Sequence, residues 1–268
     1  MPNFICQTCG VQYAETETPP AHCLICEDDR QYIAPAGQKW TTLDELRENH
    51  HNETRAVEPN LIGISTTPTF AIGQRPLLIQ SPNGNILWDC ISVIDDMTVA
   101  ALTKLGGVSA IAISHPHFYD SMIEWSEAFG DAPIYLHHDN KEWVMRPDRR
   151  IVYWDLETHS LLPDVTLIRC GGHFPGSTVL HWASGAEGKG VLMTGDTIMV
   201  VADTRWVTFM YSYPNTIPLN RKAVERIVAA VEPFEFDRLY SGWWEKVVKS
   251  DAKNAVKRSA ERYIRAIE

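Results

Sequence analysis

The sequence predicts an α+β fold in which two mixed β-sheets pack face to face, with helices outside them and a small metal-stapled segment at the N-terminus. Short apolar runs separated by turn residues occur in two blocks, and helical patterns follow each block. Residues with metal-binding side chains follow the ends of several of these strands. A chain of 268 residues can form one large domain with a small appendage.

The N-terminal segment, residues 1–35, contains two Cys-x-x-Cys motifs and few residues that could form a hydrophobic core. Cys6 and Cys9 form the first motif, and Cys23 and Cys26 form the second after 13 intervening residues. This spacing is close to that of a four-thiolate zinc site, and so small a segment needs a metal to fold. The first motif resembles that of a zinc ribbon or a shortened rubredoxin. We predict structural zinc here, with redox-active iron or paired disulfides as the alternatives.

The elements that follow are predicted from hydrophobic periodicity and turn residues. Residues 36–60 are predicted to be a linker with a short helix that starts at Thr42-x-x-Glu45, and residues 61–268 to be the main domain. Strands are predicted at residues 61–66, 70–80, 85–89, 108–113, 133–136, 165–170, 178–183, 190–194 and 237–240, and helices at 96–105, 121–129, 139–145, 220–231 and 250–267.

Two histidines follow the apolar run of residues 108–113. His115 and His117 are two residues apart, so in an extended segment both imidazoles point to the same side. Pro116 holds the residue before it extended. Ser121 and Glu124 then form a capping-box pattern for the next helix. A pair of imidazoles on such a loop suits a metal that keeps an open position for water or substrate.

Two further motifs occupy corresponding places in the second half. Gly172-His173 and Gly195-Asp196 each follow a predicted strand. Together with His115-x-His117, these motifs resemble the metallo-β-lactamase-fold superfamily from Phe70 to about Trp244. The resemblance implies an αββα sandwich with one or two metal ions, in which three histidines are ligands and Asp196 is a terminal or bridging carboxylate. The loop of residues 172–177 is similar to that of the glyoxalase II and persulfide dioxygenase branch.

The sequence departs from the family pattern at two places. Tyr119 and Asp120 stand where the family has Asp and His, and Gly242-Trp243 stands where a late Gly-His is usual. Asp120 is predicted either to replace a lost ligand or to be an acid that favours the helix start. Tyr119 is predicted either to donate a hydrogen bond to an oxyanion or to pack. His137 or His138 is a lesser candidate for a replacement ligand, and one catalytic ion is therefore expected.

The chemistry implied by this ligand set is hydrolysis. Three imidazoles and a carboxylate hold a metal that acidifies its bound water, and Asp196 can orient that water or accept its proton. We predict a hydrolase for an ester, thioester or lactone, with zinc as the default ion and iron as the alternative. A mononuclear non-haem iron dioxygenase, using His115, His173 and Asp196, is the second hypothesis. The third is a catalytically weak protein that binds metal and a metabolite or protein.

Charge and composition restrict the partners. A formal net charge of -10 argues against a nucleic-acid backbone as the main partner, which needs a basic surface. No apolar run approaches the roughly 20 residues that span a bilayer. The sequence also begins without the basic and apolar segments of a secretory signal. We therefore expect a cytoplasmic protein that acts on a small organic molecule, with no membrane or nucleic-acid partner.

Overall fold

The computed structural model describes residues 1–268. The helices are α1 (Leu24–Glu27), α2 (Leu43–Asn49), α3 (Asp96–Lys104), α4 (Met122–Ala128), α5 (Gly185–Gly188), α6 (Arg221–Val231) and α7 (Ala252–Ile267). The strands are β1 (Ile5–Cys6), β2 (Trp40–Thr41), β3 (His51–Glu58), β4 (Leu61–Thr67), β5 (Leu77–Ile79), β6 (Ile86–Trp88), β7 (Ala110–Ala112), β8 (Ile134–His137), β9 (Ile151–Trp154), β10 (Thr158–Leu162), β11 (Val165–Arg169), β12 (Thr178–Trp182), β13 (Val191–Met193), β14 (Met199–Val200), β15 (Val207–Thr208), β16 (Met210–Ser212), β17 (Ile217–Pro218), β18 (Arg238–Tyr240) and β19 (Val247–Val248). None of the helices has both the length and the apolar composition needed to cross a bilayer.

The first compact unit contains residues 1–136 and 141–153. Its seven-stranded sheet has the order β3-β4-β5-β6-β7-β8-β9, in which β6, β7 and β8 are parallel. Every residue of β6 and β7 is buried, as expected for parallel strands that are covered on both faces. The carboxyl ends of β6 and β7 lie at the same edge of the sheet. This edge brings Asp89, which follows β6, next to Ser114, which follows β7.

The second compact unit contains residues 137–140 and 154–268. Its six-stranded sheet has the order β10-β11-β12-β13-β18-β19, with β13 and β18 parallel. Helix α6 is capped by Asn220, whose side chain accepts a hydrogen bond from the backbone of Ala223 at 2.9 Å. The buried faces of α6 and α7 pack with strand residues such as Leu192 and Leu239 in one apolar core. Burial of each large aliphatic side chain there contributes about 1.5–3 kcal/mol.

The predicted linker segment contains regular secondary structure. Residues 36–60 contain the short helix α2, with the predicted capping box between Thr42 and Glu45, but they also contain β3. Strand β3 is mostly exposed and pairs with β4, so the sheet begins ten residues before the predicted domain start at residue 61. An exposed edge strand needs no apolar face, so the polar sequence of β3 shows no hydrophobic periodicity from which the strand could be predicted.

Several predicted boundaries differ from the observed ones. The strand predicted at residues 70–80 is only Leu77–Ile79, and residues 139–145 form a 3-10 helix at 138–143 rather than an α-helix. The capping box predicted for Ser121 and Glu124 is wrong, since helix α4 has no side-chain cap. The Ser121 hydroxyl instead donates to the carbonyl of Ser92 at 2.8 Å. Strands β9 and β10 were not predicted.

The N-terminal ribbon, defined as residues 1–41, belongs to the first unit. Strands β1 and β2 pair antiparallel and close this segment, because Ile5 is opposite Thr41. The four cysteines are buried in a cluster against which Ile72, Trp143 and Met145 pack. The ribbon therefore shares apolar contacts with residues from the main domain rather than having a separate core.

Candidate metal centre

The four predicted cysteine ligands lie together and are buried. Cys6 Sγ is 3.6 Å from Cys26 Sγ, and Cys9 Sγ is 3.7 Å from Cys23 Sγ. A tetrahedron with metal–sulfur bonds of about 2.3 Å has sulfur–sulfur edges of about 3.8 Å. The spacing of the thiols therefore fits one tetrahedrally bound ion such as zinc.

Hydrogen-bond donors surround these sulfur atoms. The amide of Gln38 donates to Cys6 Sγ at 3.0 Å, and the hydroxyl of Tyr13 donates to Cys23 Sγ at 3.4 Å. The same Tyr13 hydroxyl accepts a hydrogen bond from the backbone of Leu24 at 2.9 Å. Donors of this kind stabilise thiolates and fix their orientation, as expected of residues around metal ligands.

The His115 side chain is oriented by the ends of two parallel strands. The backbone of Ser114 donates to Asp89 Oδ1 at 2.7 Å, and Ser114 Oγ lies 2.8 Å from His115 Nδ1. Asp89 has a left-handed backbone (φ 63°) and donates its own amide to the carbonyl of Ala112 at 2.9 Å. His117 lies in the following 3-10 turn, and its ring centroid is 5.1 Å from that of His115. Both imidazoles are almost completely buried.

The His173 side chain is oriented by a backbone carbonyl. Its Nδ1 lies 2.8 Å from the carbonyl oxygen of Tyr211, which can only accept a hydrogen bond. Nδ1 therefore carries the proton, and Nε2 presents its lone pair as a metal ligand would. The preceding Gly172 has a φ of 84°, and an added Cβ there would lie 2.9 Å from Ile227 Cδ1. Glycine is thus required just before this histidine.

Asp196 completes the group from the loop after β13. Its Oδ2 is 3.8 Å from His173 Nε2. The hydroxyl of Tyr213 donates to the backbone oxygen of Asp196 at 2.9 Å. Burial, and then the charge of Asp196, raise the pKa of Tyr213 well above its usual value, so this phenol remains a donor at neutral pH.

One buried group contains all four of the predicted nitrogen and oxygen ligands. Their ligand atoms all lie within 4.8 Å of one another, and the residues are His115, His117, His173 and Asp196. A tetrahedron with bonds of about 2.1 Å has edges of about 3.4 Å, and a group of this size could therefore hold one ion. Imidazole and carboxylate donors suit zinc, and they also suit iron. The donor set is therefore compatible with a metal ion, and it does not distinguish zinc from iron.

Tyr119 and Asp120 are not members of this group. Tyr119 is buried in the turn that precedes helix α4. The Asp120 carboxylate contacts Ser92 Oγ and accepts a hydrogen bond from Gln74 Nε2 at 2.5 Å. Burial raises the pKa of Asp120 well above its usual value, although the hydrogen bonds from Ser92 and Gln74 oppose this shift. The catalytic roles of both residues remain predictions.

The other candidate replacement ligands also lie outside the group. His137 Nε2 is 3.3 Å from the carbonyl of Leu156, and its Nδ1 accepts a hydrogen bond from the backbone of Asp139 at 3.2 Å. His138 is exposed, and Trp243 is half-buried. Sequence reasoning did not identify Asp89, Ser114, Tyr211 or Tyr213, which position the candidate ligands. Among these four residues, only Asp89 has a signal in the sequence that could have identified it, because it is an acidic residue at the end of a predicted strand.

Comparison with solved structures identifies the fold. VMB-1 has a TM-score of 0.60 and 11% identity, and the match covers 81% of this chain and 99% of that chain. A B3 metallo-β-lactamase with an active-site glutamic acid has a TM-score of 0.56 and 16% identity over 90% of this chain and 96% of the other. A metallo-β-lactamase from Cronobacter sakazakii with a mutated HARLDQ motif has a TM-score of 0.54 and 17% identity, covering 80% and 95%. The protein therefore has the metallo-β-lactamase fold, and the predicted αββα class with an N-terminal four-cysteine segment is confirmed.

A closer relative exists among curated proteins. The uncharacterized protein YmaE of Bacillus subtilis (strain 168) is 54% identical over 269 residues, which cover 100% of this chain and 97% of that protein. No protein-family model matches the chain. The chain belongs to the same family as YmaE.

Proposed function

We propose that the protein is a metal-dependent hydrolase that uses a metal-activated water on an ester, thioester or lactone. The buried group of three histidines and one aspartate is the observation that carries this proposal. The two metallo-β-lactamases named above are hydrolases with the same fold, which supports the reaction class and leaves the substrate open. A metal held by such a group lowers the pKa of bound water and polarises a substrate carbonyl.

The residues of the chain supply orientation and proton transfer. The Tyr211 carbonyl fixes the tautomer of His173, and Ser114 and Asp89 hold His115 at the end of its strand. Asp196 offers a carboxylate beside His173, where it can accept the proton of the attacking water. The hydroxyl of Tyr213 holds the backbone of Asp196 in place. Burial of the group strengthens these electrostatic interactions, because the local dielectric constant is low.

The test is turnover of a panel containing p-nitrophenyl acetate, an acyl thioester and an acyl homoserine lactone by protein loaded with zinc or with iron. We expect His173→Ala to lose metal and activity, because it removes a ligand whose tautomer the structure fixes. We expect Asp196→Asn to lower kcat by at least about 100-fold, because the amide keeps the shape but neither charge nor basicity. His51→Ala and Asp203→Asn alter exposed residues outside the group and are the matched controls.

Two outcomes would contradict the proposal. Wild-type activity in His173→Ala or Asp196→Asn would exclude these residues from the reaction. Turnover that requires iron and consumes oxygen would instead favour the dioxygenase hypothesis, which anaerobic assays separate from hydrolysis.

A further inference from the structure

The loop that carries His115 and His117 is attached to the N-terminal ribbon through Asp120. Asp120 follows His117 by three residues, is 4% exposed, and has a left-handed backbone with φ 41°. Its carboxylate contacts the hydroxyl of Ser92 and accepts a hydrogen bond from Gln74 Nε2 at 2.5 Å. A buried, fully engaged side chain in a strained backbone conformation fixes the end of the loop.

The ribbon meets Asp120 from the other side. The hydroxyl of Ser92 lies 2.9 Å from the carbonyl of Gly10, which directly follows Cys9. The backbone of Gly10 donates to the carbonyl of Cys6 at 2.8 Å, as part of the turn that holds the first two thiols. The backbone of Gln12 donates to the carbonyl of Asp120 at 3.3 Å. A short path of hydrogen bonds therefore joins the cysteine turn to the histidine loop.

The close approach at this contact depends on glycine. An added Cβ at Gly10 would lie 2.7 Å from Ser92 Oγ and closer still to Asp120 Oδ1. Gly10 also has a φ of 84°. Gly37, in the same ribbon, has a φ of 83°, and an added Cβ there would meet no atom within 4 Å. Alanine at Gly10 or at Gly37 would therefore bear the same strain of a left-handed backbone, but only alanine at Gly10 would clash with neighbouring atoms.

A second set of contacts links the ribbon to helix α4. Gln12 Nε2 donates to Glu124 Oε1 at 2.9 Å. Arg146 Nη1 lies 2.5 Å from the same Glu124 oxygen and also donates to Gln12 Oε1. Both the end of the histidine loop and the helix after it are thus held by residues that lie within three positions of Cys9.

The hydrogen bonds of Ser92 determine which side chains can replace Asp120. The Ser92 hydroxyl has one proton but lies within bonding distance of two acceptor atoms, Gly10 O and Asp120 Oδ1. Asparagine can donate its amide to Ser92, which leaves the Ser92 proton for Gly10 O, and its oxygen can accept from Gln74. Asparagine also tolerates a left-handed backbone. Alanine has neither the donor nor the acceptor.

We propose that Asp120 is a positioning residue that couples ion binding at the four cysteines to ion binding by His115 and His117. An ion in the ribbon holds the turn of Cys6 to Gly10, and this turn holds Asp120 and the end of the histidine loop. By linkage, each ion raises the affinity of the protein for the other. The inference rests on the metal-binding part of the proposed function and does not depend on which substrate is hydrolysed.

The test uses the full chain and zinc as the probe. Zinc affinity is measured by titration against a competing chelator with elemental analysis, and deuterium uptake is measured for peptides covering residues 114–121. We expect Asp120→Ala to keep the ribbon zinc, to weaken the second zinc by about 10- to 100-fold, as loss of an orienting partner does, and to speed exchange in these peptides. Asp120→Asn is expected to stay close to wild type in both measurements.

Changes in the ribbon test the same coupling while Asp120 itself is kept. Gly10→Ala is expected to weaken the second zinc and to speed exchange, while the control Gly37→Ala leaves both unchanged. Cys23→Ser is expected to lose the ribbon zinc and to weaken the second zinc as well. If Gly10→Ala or Cys23→Ser fails to fold, the comparison of Asp120→Ala with Asp120→Asn remains decisive.

Two results would overturn the proposal. Wild-type zinc affinity and exchange in Asp120→Ala would show that the contact carries no coupling. Equal damage from Asp120→Asn and Asp120→Ala would show that the charge of the carboxylate matters, as for a ligand or a base. If the wild-type protein binds no second zinc or iron, the proposed function fails. Faster exchange of residues 114–121 in Cys23→Ser would still report the mechanical part of the coupling.

Discussion

Replacement of Gly172 by alanine tests whether the backbone before His173 sets the shape of the metal group. Gly172 has a φ of 84°, and an added Cβ would lie 2.9 Å from Ile227 Cδ1 and 3.0 Å from Leu219 Cδ1. Ile227 and Leu219 belong to the apolar core under α6, so they have little room to move. The substitution therefore combines backbone strain with overpacking of the core.

Gly188 separates these two costs. Its φ is also 84°, and an added Cβ there would meet no atom within 4 Å. Both alanine variants bear the strain of a left-handed backbone, which costs about 1–2 kcal/mol. Both are also stabilised to the same extent, because alanine reduces the conformational entropy of the unfolded chain. Overpacking adds about 1–3 kcal/mol at Gly172 alone. The free energy of unfolding of Gly172→Ala should thus lie about 1–3 kcal/mol below that of Gly188→Ala.

The assay is urea unfolding followed by fluorescence, with zinc content measured on the same samples. A difference of about 1–3 kcal/mol corresponds to about a 5- to 150-fold larger unfolded fraction. We also expect Gly172→Ala to bind less metal, since relief of the clash shifts the backbone that carries His173. Equal stability and equal metal content in the two variants would refute the reasoning, because the strain at the backbone would then be the whole effect.

Three further predictions concern metal content, pH and the core. By elemental analysis, the wild-type protein should contain two metal ions per chain and Cys23→Ser should contain one. Cys170→Ser changes a buried thiol outside the four-cysteine cluster and should keep both ions. Burial lowers the pKa of His181 below its usual 6.5, so the unfolded chain binds this proton more readily than the folded chain does. The free energy of unfolding should therefore fall as the pH decreases from about 6.5. Urea midpoints at neutral and acidic pH should show a smaller fall in His181→Gln than in the wild-type protein. Phe209→Ala should cost about 3–5 kcal/mol in the free energy of unfolding because this ring is completely buried, while Ile217→Ala, at a side chain 39% exposed, should cost less than about 1 kcal/mol in the same urea assay.

The parts of the fold that follow local rules could be predicted from the sequence. The short apolar run before His115 is a buried parallel strand, because strands covered on both faces need continuous apolar side chains. Asn220 caps helix α6, and the apolar spacing of that helix matches its buried face. The family motifs also single out the four residues whose nitrogen and oxygen atoms form the candidate metal group.

The features that depend on distant partners could not be predicted in this way. The pattern of Ser121 and Glu124 fits a capping box, yet the Glu124 carboxylate bonds to Gln12 and Arg146 instead. The sequence alone predicts that Asp120 is a ligand or a helix-leading acid, because nothing local shows that Ser92 and Gln74 surround it. Their positions in the chain lie 28 and 46 residues away. Long-range hydrogen bonds of this kind decide the role of a polar residue, and periodicity carries no information about them.

The closure of the ribbon by β1 and β2 has a consequence for biosynthesis. Its four thiols lie between residues 6 and 26, and its two strands pair at residues 5–6 and 40–41, so the contacts within the ribbon form over short sequence separations. Segments of low contact order fold fast, and the N-terminal part of a nascent chain leaves the ribosome first. We expect the ribbon to capture its ion during translation, before Ser92 and Asp120 are synthesised. The histidine loop would then pack against a ribbon that has already folded. Scarcity of the ion during translation would therefore impair the folding of newly made protein more than the stability of mature protein.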